Sequence, residues 1–171
     1  GRTNVVEYGM TTFGDLFTPR QLVALTTFSD LVGEARERIR ADALQVGMPD
    51  DTRGLDAGGN GATAYAEAAC IFRAFALDKV ADRGSTIGRG DPTPTQSGSI
   101  NTFSRQALPM TWDFAESNPL GDASGNYVSA AALVAKAVNA CRPNVFGFAS
   151  QADAASQKIS AASLVTTDPP Y

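Results

Sequence analysis

In the first half of the chain, apolar residues recur at three- and four-residue steps. Leu22, Leu25, Phe28, Val32, Ala35 and Ile39 fall on one face of a helix, which predicts a buried stripe. Thr18-Pro19-Arg20-Gln21 ahead of them is a helix start: Thr18 caps, Pro19 suits the first helical position, and Gln21 completes a capping box. A second helix is predicted over about 62–80, burying Tyr65, Ala68, Phe72, Phe75 and Ala76 and ending at Gly84. A third, dense in alanine, covers 126–140, its small side chains suited to close packing on a sheet, and Pro143 closes it. The pattern then changes. Val145-Phe146-Gly147-Phe148-Ala149 and the β-branched run over 163–167 read as short strands, joined by the turn-rich link Gln151-Ala152-Asp153-Ala154.

This order predicts a mainly helical region over 1–120 and, over 121–171, part of a parallel α/β sheet. Ligands of such sheets gather at the carboxyl ends of the strands, which would bring Asp153 and Asp168 to that edge. The chain closes on Asp168-Pro169-Pro170-Tyr171. Proline lacks an N–H and has a fixed φ, so Pro169 and Pro170 stiffen the turn and leave their carbonyls free to accept. Asp168 adds a further acceptor and Tyr171 a flat face. Such a set can hold an exocyclic amine while a flipped-out base lies against the ring. It can also be a polar tail.

Charge and residue usage narrow the chemistry. Fourteen basic and 18 acidic residues leave a net charge of −4, so there is no global attraction to a phosphate backbone. Histidine is absent, and Cys70 and Cys141 stand far apart without a Cys-x-x-Cys partner, which removes His-based acid–base schemes and ordinary zinc sites. The cysteines read as reduced thiols in apolar helices. Hydrophobic content of 43% argues against disorder, and no apolar run reaches membrane length. The expectation is a cytoplasmic protein without a membrane or metal partner. Because the chain begins Gly1-Arg2-Thr3 and stops on the terminal motif, it is expected to be a piece of a longer protein.

Three stretches carry two readings each. Arg36, Arg38 and Arg40 can touch phosphate or form a solvated face near a helix C-terminus. Gly58-Gly59-Asn60-Gly61 precedes the second helix and can receive an anion there or serve as a flexible entry. Between residues 85 and 119, polar groups and large aromatics interleave without a clean period. Such a segment can line a pocket, with Trp112 and Phe114 for stacking and Arg105, Asp113 or Glu116 for polar contact. It can equally be an irregular loop anchored by aromatics.

Several ordered segments carry a resemblance. They are residues 14–21 (Gly-Asp-Leu-Phe-Thr-Pro-Arg-Gln), 64–68 (Ala-Tyr-Ala-Glu-Ala), 106–110 (Gln-Ala-Leu-Pro-Met), 112–116 (Trp-Asp-Phe-Ala-Glu), Asn118-Pro119 and the terminal Thr167-Asp168-Pro169-Pro170-Tyr171. Together the chain resembles the large adenine-specific DNA methylases that carry the DUF1156 region. It departs from their pattern at Gly88 and Gly90, where Cys and Trp are expected. The resemblance implies a helical insertion followed by part of a Rossmann-like methyltransferase sheet, with S-adenosyl-L-methionine as cofactor and DNA as the partner of the complete protein. Its glycine-rich cofactor loop would lie upstream of this chain. The resemblance further implies that Asp168 and the Pro169 carbonyl hold the target amine, that Tyr171 stacks on the base, and that Asp153 approaches the cofactor adenine. A non-catalytic binding or scaffolding module remains the alternative, as does RNA or protein as methyl acceptor.

Overall fold

The computed structural model describes residues 4–92, 98–104, 107–141, 151–153, 155–158, 164 and 166. They divide into a larger unit, residues 1–140, and a smaller one, residues 141–171. The larger unit opens with two short 3₁₀ turns, Asn4–Tyr8 and Phe13–Leu16. Three α-helices follow: α1, Pro19–Gln45; α2, Ala62–Arg83; and α3, Tyr127–Ala140.

Helix α1 starts where the sequence said it would. The Thr18 hydroxyl accepts from the Gln21 N–H at 3.3 Å, and the Gln21 side chain accepts from the Thr18 N–H at 2.8 Å, closing a capping box with Pro19 at the first helical position. The predicted stripe from Leu22 to Ile39 is half-buried throughout. Helix α2 returns antiparallel to α1: Arg40 meets Thr63 at 3.0 Å, the Cys70 thiol donates to the Val32 carbonyl at 3.4 Å, and Leu25 packs on the cluster containing Val80. Gly84 ends α2 as expected. Both Cys70 and Cys141 are free thiols.

The buried face of α2 differs from the predicted one. Ala76 is buried as predicted, but Tyr65, Phe72 and Phe75 are exposed, and Ala62, Ala64, Ala66 and Val80 are buried in their place. The physical reason is the neighbour. Alanine lets α1 and α3 approach α2 closely, and the larger rings are turned outward by that approach. Asn126 caps α3, its side-chain oxygen accepting from the Ser129 N–H at 2.7 Å. Ala130 then packs against Ala76 and Val80, and Tyr127 stacks on Phe28 with ring centroids 4.8 Å apart.

The expected α/β architecture requires correction. Among the described residues the molecule is helical, without a strand or sheet; the only bridge among them is an isolated antiparallel one between Gly90 and Ser99. The described residues therefore do not form a Rossmann-like fold. The alanine-rich segment expected to lie on a sheet packs on a helix instead. The run 145–149 lies outside the described residues, as does most of 163–167, but Leu164 is 99% exposed. A core strand would have buried that leucine.

A second core lies in the irregular part. Val5, Leu16, Ile87 and Leu108 are buried together, with Met10, Phe17 and Met110 against them. The Thr86 N–H donates to the Leu16 carbonyl at 2.8 Å, and beside it the Ser85 and Thr102 hydroxyls share a hydrogen bond of 2.7 Å. Leu16→Ala is expected to destabilise the fold by about 2–5 kcal/mol, measured as a shift in the urea midpoint at unchanged slope.

Candidate functional site

A cavity of about 440 Å³ sits where the first turns of α1, the end of α2 and the 116–120 segment meet. Its volume is in the range of small-molecule sites. Ala24, Leu25, Val80 and Pro119 provide apolar wall; Arg20, Gln21, Glu116 and Asn118 provide the polar groups. The antiparallel pairing of α1 and α2 creates this place, because it sets the N-terminus of one beside the C-terminus of the other.

Arg20 and Glu116 close one side through a two-pronged ion pair. The Arg20 Nε donates to Glu116 Oε1 at 2.7 Å, and its terminal nitrogen donates to Oε2. The guanidinium beside it holds the Glu116 carboxyl below the usual range, and the Gln21 amide adds a smaller effect in the same direction. Arg20 is raised by the same pairing. Gln21 is only 8% exposed. Its Oε1 is used in the helix cap, but its Nε2 is buried without a hydrogen-bond partner, although it lies near enough to Glu116 to help the carboxylate stay charged. Such a buried donor is uncommon in folded proteins.

The second polar centre is Asp50, whose side chain is 7% exposed. Its Oδ1 accepts from the backbone N–H of Thr63 at 3.0 Å and of Thr52 at 3.2 Å. Its Oδ2 accepts from the Thr63 hydroxyl at 2.9 Å and from Arg40 at 3.0 Å. These bonds, the Thr63 N–H foremost, hold the carboxyl down to about 2. The contact with Thr52 also secures that β-branched residue at a φ of 58°, in the left-handed region that such residues rarely enter.

Asp50 settles the two readings of the glycine-rich loop. The N-terminus of α2 already holds an anion, the chain's own carboxylate, and the Ala62 N–H donates to the Pro49 carbonyl at 2.9 Å. Gly59 is needed because a Cβ there would lie 2.0 Å from the Arg53 carbonyl oxygen. Gly61 is buried and Gly59 half-buried, while Gly58 and Asn60 stay exposed. Of the three arginines in the second half of α1, Arg40 is bound to Asp50 and Arg36 to Glu37 at 3.1 Å.

The other sequence-predicted residues fall as follows. Asp168, Pro169, Pro170, Tyr171 and Arg105 lie outside the described residues. Trp112 is 76% exposed and meets Tyr8 edge to face at 5.1 Å between ring centroids; Asp113 beside it is exposed too. Neither lines the cavity. Asp153, in the smaller unit, turns its carboxylate onto its own backbone, accepting from the Ala155 N–H at 2.8 Å. The start of α2 is thus occupied by Asp50, and Asp153 is bonded within its own turn. Among the described residues there is no cluster of three metal-ligating side chains, and no helix long and apolar enough to cross a membrane.

Sequence reasoning missed the pairing of Arg20 with Glu116 and the burial of Gln21. A signal existed, since all three stand within the ordered segments 14–21 and 112–116. Nothing local tied those segments together.

For Asp50, a folded pKa of about 2 against an ordinary 3.8 means that the charged form favours the fold. The contribution is full above pH 3.8 and fades as the pH falls towards 2. Asp50→Asn, which keeps the capping oxygen, is expected to lower the melting temperature at neutral pH. The deficit relative to the parent chain should shrink between pH 4 and 2, and thermal melts across that range read it directly.

Compared with protein-family models, with curated proteins and with solved structures, the chain matches none.

Proposed function

We propose that this chain is the insertion-bearing part of an S-adenosyl-L-methionine-dependent methyltransferase that modifies an exocyclic base amine in DNA, with adenine N6 as the target. One observation supports this reading beyond the terminal motif. Segments of the resemblance that lie up to about a hundred residues apart in sequence meet in space. Leu16 shares a core with Leu108 and Met110, Arg20 grips Glu116, and Arg20, Gln21, Glu116, Asn118 and Pro119 line one cavity. A chance set of short motifs has no reason to converge in this way.

In this reading the terminal residues handle the acceptor. Asp168 and the Pro169 carbonyl accept hydrogen bonds from the target amine and aim its lone pair, and Tyr171 stacks on the extruded base. When bound, the cofactor supplies the methyl group. It is held by parts of the complete protein other than the residues described above. No side chain of tuned pKa is required, in keeping with a chain without histidine. DNA contact belongs to the complete protein, since the net charge of −4 offers no basic surface overall.

A second reading, a non-catalytic binding module, is favoured by a different observation. Residues 1–140 form a compact unit that ends before the terminal motif and carries its own cavity. One experiment separates the two. In a longer polypeptide that contains this chain together with an upstream strand and glycine-rich loop, methyl transfer to adenine-containing DNA is expected, and Asp168→Ala is expected to abolish it while cofactor binding persists. Turnover that survives the substitution removes Asp168 from the chemistry. A polypeptide that binds its partners but never transfers a methyl group leaves the binding module.

A further inference from the structure

We propose that the groove between α2 and α3 receives an amphipathic helix of another polypeptide, one whose apolar stripe is flanked by glutamate or aspartate. The proposal does not depend on the methyltransferase reading.

Helix α3 is short of partners for its composition. Lys136 is its only charged residue, yet Ala130 is its only buried one. A helix apolar on nearly every side normally meets neighbours on more than one of them. Here α3 packs on α2, with Phe28 of α1 stacked on Tyr127 at its first turn, while Val128, Leu133 and Val138 stay exposed. Between α2 and α3 lies a groove of about 490 Å³, lined by Ala69, Phe72, Ala131, Val134 and Val138 among others. A cleft with apolar groups on both flanks takes the apolar face of a helix, and its alanines permit a close approach. A bilayer would need apolar groups that protrude.

Charge decides the chemistry of the partner. Arg73 is the charged residue lining the groove. Lys79 stands seven positions after Phe72, about two turns on and on the same side of α2, and Lys136 lies on α3. All three are positive in a chain whose net charge is −4. The ion pairs among the described residues use Arg20, Arg36, Arg40 and Arg53 instead. The carboxylates of α2 are placed elsewhere: Glu67 accepts from the Leu55 N–H and Asp82 from the Phe103 N–H. Asp78, nine positions after Ala69, falls on the opposite side of the helix. The groove thus joins open apolar surface to cations that no carboxylate of the described residues engages, which is complementary to an acidic amphipathic helix.

The test is fluorescence anisotropy of a labelled helical peptide of about four turns, with a leucine stripe flanked by glutamates. The same peptide with lysines in place of the glutamates is the comparison. The 171-residue chain is expected to bind the glutamate peptide roughly tenfold more tightly than the lysine peptide. Lys79→Glu combined with Lys136→Glu changes two exposed positions at little cost in helix propensity, and should reverse that preference. Val138→Asp sets a charge into the groove and should abolish binding of both peptides; the double reversal keeps the test decisive if that variant does not fold. Three results overturn the proposal: equal affinity for the two peptides, a preference unchanged by the double reversal, or affinity unchanged in a folded Val138→Asp. Failure to bind the glutamate peptide while the chain adsorbs to phosphatidylserine vesicles also overturns it, and makes this face a membrane contact.

Discussion

The antiparallel pairing of α1 and α2 depends on one carboxylate at its turn. Asp50 joins Arg40, late in α1, to the N–H and hydroxyl of Thr63 in the first turn of α2, and it also secures the turn at Thr52. A helix N-terminus leaves unsatisfied donors, and a long connection such as 46–61 has no regular structure to set its path. One nearly buried acidic side chain answers both demands. The orientation of everything beyond the turn follows, including the approach of Val80 to Leu25 and of Gly84 to the head of α1.

Because α2 returns along α1, the two ends of that pair frame a space that neither helix creates alone. The 107–120 segment covers it, anchored below by Leu108 in the irregular core and above by the Arg20–Glu116 fork. Apolar burial supplies most of the holding force there, since an ion pair this exposed contributes little by itself. What the fork adds is position: it sets Glu116 at the edge of the cavity and keeps that carboxylate charged.

The use of alanine explains both a success and a correction. Small side chains in α2 and α3 allow the helices to approach closely, which gives the buried set Ala76, Val80 and Ala130. The same closeness leaves Tyr65, Phe72 and Phe75 on the surface. Hydropathy ranks aromatic rings above alanine, so a periodicity reading turns the wrong face inward. It also took an alanine-rich helix as a companion for a sheet, when a second alanine-rich helix was available to pack against.

By itself the sequence determined what is local. The capping box at Thr18 and Gln21, the end of α2 at Gly84 and the half-buried stripe of α1 follow from bonds and steric preferences that span four residues or fewer. The ordered segments 14–21, 64–68, 106–110 and 112–116 were also legible, as a list without a geometry. Only the tertiary structure decided which of their residues meet. Arg20 and Glu116 stand 96 positions apart, and no periodicity reports a contact at that separation. The helical architecture of the described residues and the filling of the glycine-rich loop by Asp50 were decided in the same way, because each depends on which partner is nearest in space.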